Sequence, residues 1–231
     1  MDNHGPALKQ SLAQAALAAW KHEGVPRLLL RSVRYILKPL FQWDIFYVFQ
    51  RDLKNTPPER QVPDALKIRT YLGNEELEET REFLSPYCPN FHERAKRGEA
   101  VVLCQSTDGF SKNQVAGYTW IAFGDTWVEE IQRTIIVREG EMVHYDSYVH
   151  SRYRGQGLHT SLIITAKHFA LRQGCVKSLS WISALNLQSL KTAQRLALVP
   201  EKPFTVLSIK TAGMRGRWNW ALRGSLASRF R

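Results

Sequence analysis

Cysteine is scarce in this sequence. The 231-residue chain has three cysteines, an odd number, and Cys88, Cys104 and Cys175 lie far apart without a Cys-x-x-Cys pair. This spacing argues against a disulfide framework and offers no zinc ligand set, so we expect no metal. A reducing, cytoplasmic setting fits this use of cysteine.

Long apolar runs are also lacking. No stretch reaches the ~18 apolar residues that a membrane span requires, and no basic leader precedes an apolar core at the N-terminus. We therefore expect neither a spanning helix nor export. With 44% hydrophobic residues the chain can still bury a full core, and its length favours one domain with appendages.

Acidic residues are few after residue 140. Residues 141–231 have 14 basic and 3 acidic side chains, whereas residues 1–60 have 9 and 5, and residues 61–140 have 9 and 13. This excess of positive charge indicates an anionic ligand for the second half of the chain. Five of its arginines lie beyond the last predicted strand, and they indicate either a second anionic partner or a contribution to solubility alone.

The stretch Glu141–Gln173 has the pattern of a strand, a glycine loop and a helix. The strand runs up to Val149, the loop contains two glycines and two arginines, and the helix begins near Leu158 and ends before Gly174. Backbone N–H groups at a helix N-terminus lack partners within the helix, and glycines let an anion approach them closely. The pattern therefore predicts a phosphate site.

Residues 149–162 resemble motif A of the GCN5-related N-acetyltransferases (GNAT), Gln/Arg-x-x-Gly-x-Gly/Ala. Arg152-x-x-Gly155-x-Gly157 fits every letter, but the spacing from the strand favours Arg154-x-x-Gly157-x-His159, where His159 replaces the usual Gly or Ala. In this family the loop amides hold the pyrophosphate of coenzyme A. The resemblance implies that acetyl-CoA or another acyl-CoA is held by Arg154, Gly155, Gln156, Gly157, Leu158, His159 and Thr160.

A second segment, Asn186-x-x-Ser189, resembles the family's Asn-x-x-Ala/Ser at the start of the helix after strand five. It implies that Asn186 and Ser189 contact the pantetheine arm. Asn186 is also a good helix N-cap, and both roles can hold. Seven residues after this asparagine the family often has the tyrosine that protonates the leaving thiolate, but this chain has Ala193, whose side chain has no proton to donate.

The resemblance covers about residues 65–209 and implies an α/β fold with a mixed, mostly antiparallel sheet flanked by helices. We expect a GNAT-like acyltransferase domain over residues 64–210, with an acidic helix that Asn74 caps. An N-terminal extension over residues 1–63 adds a basic amphipathic helical segment and a strand at residues 44–50. A basic C-terminal tail occupies residues 211–231.

The family's reaction is attack of an amine on the thioester of acyl-CoA. The resemblance places the donor to the developing oxyanion near Tyr148 and Val149. Asp146 is the first candidate for the general base, although a structural pair with an arginine is the alternative. By the two-residue period of a strand, His144, Asp146 and Tyr148 should share one face. His144 is the second candidate, because histidine side chains exchange protons near neutral pH.

Residues 27–38 have the pattern of a basic amphipathic helix, with Arg27, Arg31, Arg34 and Lys38 on one face and apolar residues on the other. The simpler interpretation is that the apolar face packs inward against the domain. The alternative is contact with an anionic membrane or a partner. The alternative would give a peripheral location at the inner membrane surface within the cytoplasm.

Two classes of function are compatible with these features. The first is an acyl-CoA-dependent N-acyltransferase, most simply for acetyl, with a small-molecule, saccharide-linked or lipid-linked amine as acceptor. The second is a non-catalytic GNAT-like module that binds CoA, an anionic membrane surface or a partner. Nucleic acid is not expected as a partner, because no recognition helix or stacking motif accompanies the basic tail. The sequence indicates neither the acyl length nor the oligomeric state.

Overall fold

The structure is a computed structural model. It describes residues 45–107, 114–128 and 133–194, together with residues 29, 33, 36 and 37, and it gives the strand assignment alone at residues 41–44, 204–211 and 218–223 and the helix assignment alone at residue 195. The chain divides into two compact units. One contains residues 45–207 and 220–231, and the other contains residues 1–44 and 208–219. The candidate site lies in the first of these, the larger unit.

The described chain contains ten strands and five α-helices. The strands are β1 (Phe41–Asp52), β2 (Leu66–Leu72), β3 (Ala100–Ser106), β4 (Val115–Ala122), β5 (Thr126–Val128), β6 (Arg133–Ile135), β7 (Glu141–Val149), β8 (Lys177–Ser183), β9 (Phe204–Thr211) and β10 (Trp218–Arg223). The helices are α1 (Asn74–Glu78), α2 (Arg81–Leu84), α3 (Phe91–Lys96), α4 (Leu158–Arg172) and α5 (Leu187–Arg195).

Eight of these strands form one sheet, and each contributes residues to the larger unit. Their order is β10-β9-β1-β8-β7-β4-β3-β2, while β5 and β6 form a separate pair. The pairs β1–β8, β2–β3, β3–β4 and β4–β7 are antiparallel, and β7–β8 is parallel. The sheet is therefore mixed and mostly antiparallel, with helices against it, and the predicted fold class is confirmed.

Helix α4 covers one face of the sheet because a stripe of small and branched apolar residues repeats every four positions. Leu158, Leu162, Ala166 and Ala170 are at most 3% exposed and pack with residues of β3, β4 and β7. Burial of each leucine stabilises the fold by about 1.5–3 kcal/mol. Gly174 (φ 84°) follows the last turn, as predicted for the residue that ends this helix.

The opposite face is covered by the three short helices α1, α2 and α3. Leu77, Leu84 and Phe91 project from them into a core that contains Leu103 and Trp120 of the sheet. The helix predicted to start with an Asn74 cap is instead split in two, and Gly73 occupies the cap position without a side-chain cap. The Thr80 hydroxyl donates to the Leu77 carbonyl at 2.8 Å, where the first helix ends.

Both ends of the chain contribute strands to the sheet. The strand predicted at residues 44–50 is confirmed as β1, which pairs with β8 from Phe46 to Asp52. The segment predicted as a basic tail contains β10, which the sequence pattern did not indicate. Polar and positively charged residues surround Trp218 and Trp220, so the sequence there does not have the apolar pattern by which a strand is recognised.

Four residues of the predicted amphipathic segment are helical. Leu29, Val33, Ile36 and Leu37 are 60%, 49%, 71% and 38% exposed. The remaining residues of this segment lie outside those that the structure describes. Among the described residues, no helix has the length and apolar content needed to cross a membrane.

Candidate active site

The parallel strands β7 and β8 pair over only a short length and then separate. Their register contains three pairs, of which the last is Val143 with Leu179. Beyond it β7 continues to Val149 and β8 to Ser183. We call the space between these unpaired parts, residues 144–149 and 180–183, the β7–β8 gap. Because β4 and β1 pair with the outer edges of the two strands, the backbone groups on the inner edges of the gap have no strand partner.

Strand β7 contains an extra residue beside the gap. Trp120 of β4 faces Tyr145 and Tyr118 faces Tyr148, so a two-residue step on β4 matches a three-residue step on β7. Asp146 lies within this bulge and has φ 45°, in the left-handed region. The extra residue places Tyr145 and Tyr148 on the same face of the sheet.

The bulge overturns the prediction that His144, Asp146 and Tyr148 share a face. Asp146 pairs with Arg94 of α3, on the side of the three short helices, which we call the acceptor face. His144 instead lies on the opposite side of the sheet, near α4, where the charge of Lys167 lowers its pKa. A strict two-residue alternation does not hold across a bulge, so the prediction was wrong for a physical reason.

The loop after β7 presents backbone donors. A short 3-10 turn at Ser151–Tyr153 leads to Gly155 (φ 79°) and to Gly157 (φ 81°, ψ 0°), which is the cap of α4 and makes no side-chain cap bond. In the part of the chain that the structure describes, the six N–H groups of residues 155–160 have no acceptor. Unpaired donors at the positive end of a 15-residue helix form a site for a phosphate or another anion.

Two side chains fix the shape of this loop. The Arg154 Nε donates to the Val149 carbonyl at 3.0 Å, and the Gln156 Nε2 donates to the Arg152 carbonyl at 3.1 Å. Residues 154–157 are exposed, so an anion can reach the amides from solvent. The predicted donors Leu158, His159 and Thr160 form the first turn of α4, and the structure therefore brings all seven loop residues to one place.

The acceptor face carries a buried guanidinium between two aromatic rings. The Arg94 Cζ lies 5.0 Å from the Trp120 ring centre and 4.8 Å from that of Tyr145. Its Nη1 is 2.7 Å from Asp146 Oδ2, an ion pair without the angles of an aligned hydrogen bond. Although burial opposes its charge, Tyr145 and Asp146 raise the pKa of Arg94. Asp146 thus has the arginine partner that the sequence left open as an alternative.

The Glu99 carboxylate is a second charged group in contact with Tyr145. The Tyr145 hydroxyl donates to the Glu99 carboxylate through a short hydrogen bond, and Arg97 binds the other Glu99 oxygen at 2.7 Å. Burial is the main cause that raises the pKa of Tyr145. The tyrosine therefore stays protonated and acts as a fixed hydrogen-bond donor.

Three tyrosines form the aromatic wall beside Asp146. The ring centres of Tyr148 and Tyr118 are 5.6 Å apart in a stacked arrangement, and Tyr87 lies 5.2 Å from Tyr148. The Tyr118 hydroxyl donates to the Tyr87 carbonyl at 3.3 Å. Sequence reasoning missed Arg94, Tyr87 and Tyr118, because their helix and strand come to the site only through tertiary packing.

Asn186 lies at the start of α5, just after β8. Its Oδ1 accepts from the Ser189 N–H at 3.1 Å, so the predicted N-cap role is present. The cap uses the oxygen only, and the side-chain amide of Asn186 keeps its N–H donors. Ala193 of the same helix is 4% exposed and has no ionisable group, so the usual leaving-group acid is absent at this position.

Three nitrogen-bearing side chains meet on the α4 side of β7. Burial and, to a smaller extent, the charges of Lys167 and His159 lower the pKa of His144 to about 3. Burial also lowers the pKa of His159, and it lowers that of Lys167 to about 8 with Arg51 as the second cause. No carboxylate is among these causes, so this cluster is electropositive when protonated.

Comparisons with known proteins agree with this architecture. A statistical model of the family described as "Acetyltransferase (GNAT) family" matches residues 68–197. No curated protein matches the sequence.

Solved structures superpose on this chain at low sequence identity. A tandem GNAT protein from the clavulanic acid biosynthesis pathway superposes with a TM-score of 0.52 at 14% identity, over 80% of this chain and 58% of its own. A GCN5-related N-acetyltransferase from Sphaerobacter thermophilus gives 0.47 at 14% identity, over 78% and 56%. AAC(6')-Iy in complex with a bisubstrate analogue gives 0.44 at 16% identity, over 59% and 92%. This chain therefore spans less than two thirds of the first two structures.

Proposed function

Because this chain belongs to the acetyltransferase (GNAT) family, we propose that it is an N-acyltransferase that moves an acyl group from coenzyme A, most simply acetyl from acetyl-CoA, to an amine. The observation that carries this proposal is the position of the unpaired loop amides beside the β7–β8 gap. Six unpaired N–H groups, those of residues 155–160, lie where α4 begins, directly after the strand that borders the β7–β8 gap.

The loop would hold the pyrophosphate, because its free amides and the positive end of α4 favour negative charge. The pantetheine arm would lie in the β7–β8 gap as an additional strand, where its amides can pair with the facing strand edges. The Asn186 side-chain amide and the Ser189 hydroxyl would supply polar contacts at the start of α5. The loop residues, Asn186 and Ser189 were assigned to coenzyme A by sequence resemblance, and their positions in the structure support that proposal.

The backbone of Val149 is the best candidate for oxyanion donor. The neighbouring His150 N–H donates to the Ala116 carbonyl on β4 at 2.9 Å. Successive residues of a strand direct their N–H groups to opposite edges, so the Val149 N–H is directed to the β7–β8 gap. A thioester carbonyl there would be polarised, and the charge that develops on its oxygen would be stabilised.

On the acceptor face, Asp146 and the Tyr148 ring would bind the amine as an ammonium group and orient it. Asp146 would accept its proton directly or through a water molecule. The neutral nitrogen then bonds to the thioester carbon, the C–S bond breaks, and the thiolate takes a proton from solvent, because Ala193 offers none. His144 has no part in this proton transfer, since it lies on the other face.

Thiol release from acetyl-CoA with a panel of amines tests the activity, and calorimetry with CoA tests the donor site. Gly157→Glu should weaken CoA binding at least tenfold, because it puts a carboxylate among the anion-binding amides. Gly174→Glu is the matched control: both glycines have positive φ and open space for a side chain, but Gly174 lies at the other end of α4. The control should bind CoA as the wild type does.

These measurements also separate the enzyme from a non-catalytic binding module. If CoA binds in a Gly157-dependent way and no amine on the panel gives turnover, the module is the better description. If the two glutamate variants bind CoA equally, the loop is not the pyrophosphate site and the proposal fails.

A second proposal concerns location. The exposed side chains of Leu29, Val33, Ile36 and Leu37 would rest on an anionic membrane surface, with the four basic residues of segment 27–38 near the headgroups. Exposed apolar residues beside positive charge favour a lipid surface over a neutral partner. The enzyme would then be cytoplasmic and peripheral, and would reach a lipid-linked or saccharide-linked amine there.

Sedimentation with vesicles tests this location. The full chain should bind phosphatidylglycerol vesicles more strongly than phosphatidylcholine vesicles, and Ile36→Asp should reduce binding severalfold. A deletion of the whole extension is unsuitable, because β1 is part of the sheet. Val176→Asp replaces an apolar residue that is 46% exposed elsewhere, so it should bind as the wild type does. Equal binding by both variants would rule out the membrane role of this helix.

A further inference from the structure

The guanidinium on the acceptor face has more hydrogen-bond donors than its neighbours use. Arg94 Nη1 lies 2.7 Å from Asp146 Oδ2 and is buried without an aligned hydrogen bond. The Arg94 Nε and Nη2 also make no hydrogen bond within the described part of the chain, and they are not among its buried unpartnered atoms, so solvent reaches them. Side chains as buried as this one, 11% exposed, normally make such bonds, so these N–H groups are available to an anionic ligand.

Two aromatic rings fix the direction in which these donors can act. The Trp120 and Tyr145 rings lie 5.0 Å and 4.8 Å from the Arg94 Cζ, and Trp120 is fully buried. A planar guanidinium packed against rings keeps one orientation, so a ligand meets a fixed pair of N–H groups. The two oxygens of a carboxylate match such a pair in geometry and in charge.

The charges around Asp146 cancel one another. Arg94 pairs with Asp146 and Arg97 pairs with Glu99, which gives two positive and two negative groups. A plain ammonium group at Asp146 would therefore meet the nearby positive charge of Arg94 without an excess of negative charge to offset it. A substrate that carries an ammonium group and a carboxylate is complementary to the Arg94–Asp146 pair, because each of its charges faces the opposite one.

The spacing of the pair indicates how far apart the two substrate charges are. The amino nitrogen and the carboxyl carbon of an α-amino acid are about 2.5 Å apart. The pair itself spans 2.7 Å, and Asp146 Oδ1 makes no hydrogen bond within the described part of the chain. An α-amino acid can thus place its ammonium group at Asp146 and its carboxylate at Arg94 at the same time.

We propose that the amine substrate is an α-amino acid with an aromatic or branched apolar side chain, and that Arg94 binds its carboxylate. The substrate side chain would rest on the Tyr148 and Tyr87 rings, the latter 37% exposed. The inference rests on the proposed function and keeps the amine at Asp146. The neutral nitrogen bonds to the thioester carbon, the C–S bond breaks, and the product is an N-acyl amino acid with its carboxylate intact.

Matched pairs of substrates test the inference on the wild-type protein. Phenylalanine and phenethylamine, tyrosine and tyramine, tryptophan and tryptamine, and leucine and isopentylamine differ within each pair by the carboxylate alone. With acetyl-CoA as donor, we expect kcat/KM to be at least tenfold higher for the amino acid of a pair, as a charge-assisted hydrogen bond to a partly buried guanidinium provides. The amino acid amides control for amine basicity, because they lose the ammonium proton readily but have no carboxylate.

A substitution at Arg94 tests which residue provides the preference. Arg94→Gln should abolish it, while Arg94→Lys, which keeps the charge without the fork, should retain part of it. CoA binding by calorimetry shows that each variant is folded. Arg81→Gln is the matched control, because Arg81 is an exposed arginine of α2 that pairs with Glu78 on the surface, and it should leave the preference intact.

The outcomes separate this inference from the proposed function. Equal kcat/KM within the pairs, faster turnover of the amides, or a preference for a polyamine such as spermidine would overturn the inference and leave the N-acyltransferase in place. An Arg94→Gln variant that still prefers amino acids would overturn it as well. If CoA binds and no amine or amino acid is acylated, the proposed function fails and the inference fails with it.

Discussion

The Arg94 guanidinium and the Asp146 carboxylate, 2.7 Å apart, join helix α3 to the bulge of β7. Among the described residues, Asp146 is the sole non-glycine residue with a positive φ. The Arg94 side chain is 11% exposed and that of Asp146 is 38% exposed, so the ion pair is buried on one side and open on the other. Asp146, the residue proposed to bind the amine, therefore has both a strained backbone and a charged partner.

Two substitutions at Asp146 distinguish the effect of backbone strain on stability from the effect of losing the ion pair. Asp146→Ala removes the counter-ion of Arg94 and keeps a side chain at φ 45°, whereas Asp146→Gly removes the same ion pair and relieves the strain. Both should lose about 1–3 kcal/mol of unfolding free energy, a range that allows for the exposure of Asp146. The glycine variant should be the more stable of the two by about 1 kcal/mol. Urea unfolding measures both, and equal values would show that the backbone there is unstrained.

Gly117 of β4 determines how closely β7 approaches. A Cβ at this position would lie 2.7 Å from the Tyr148 carbonyl oxygen and 3.1 Å from Leu162 Cδ1. Gly117→Ala should therefore push β7 away from β4, with a loss of about 1–3 kcal/mol in stability. It should also reduce kcat more than it changes CoA affinity, because it displaces the Val149 amide but not the loop. Unchanged kcat in a destabilised variant would contradict the role given to that amide.

The loop could be predicted from the sequence, and the acceptor face could not. Gly155, Gly157 and the helix start are local features, because a few consecutive residues determine the backbone and its free N–H groups. The bulge at Asp146 depends on the pairing of β7 with β4, and nothing in the letters of β7 alone indicates an extra residue. Arg94 reaches Asp146 across a wide separation in sequence, so its role emerges only from packing.

The burial of Lys167 beside His144 could not be predicted from the sequence either. Each residue was visible, and Lys167 lies on a helix whose bounds were predicted well. Its burial was not predicted, because a lysine on an amphipathic helix is expected to face water. The buried face of α4 is broad, and it includes the lysine.

Asn186 has a capping role and a proposed binding role, and two substitutions distinguish them. Asn186→Ser keeps an oxygen that can accept from the Ser189 N–H, so the helix cap should survive. Asn186→Ala removes the cap and should cost about 1 kcal/mol. Both variants lose the side-chain amide donor, so both should bind CoA severalfold more weakly, as loss of one hydrogen bond predicts. Tight CoA binding by the serine variant would leave Asn186 with the cap alone.

The pH dependence of stability reports the buried state of Lys167 and His144 in the absence of ligand. The pKa of Lys167 is about 8 in the folded protein, below its ordinary value of 10.5. Between these values the unfolded chain holds a proton that the folded chain has released, so the unfolding free energy should rise with pH from about 8 to 10.5. Lys167→Met should remove this rise and increase stability at pH 7 by up to about 3 kcal/mol.

The pKa of His144 is about 3 when folded, below its ordinary value of 6.5. As pH falls through this window, His144 binds a proton in the unfolded chain but not in the folded chain. The unfolding free energy should therefore decrease from about pH 6.5 towards pH 3. Carboxylates elsewhere in the chain add their own acid sensitivity, so the comparison must be with His144→Gln, which cannot take up this proton. Unfolding curves at pH 5 and pH 7 should show a smaller loss for the variant than for the wild type. An equal loss would show that the pKa of His144 is not lowered in the folded protein.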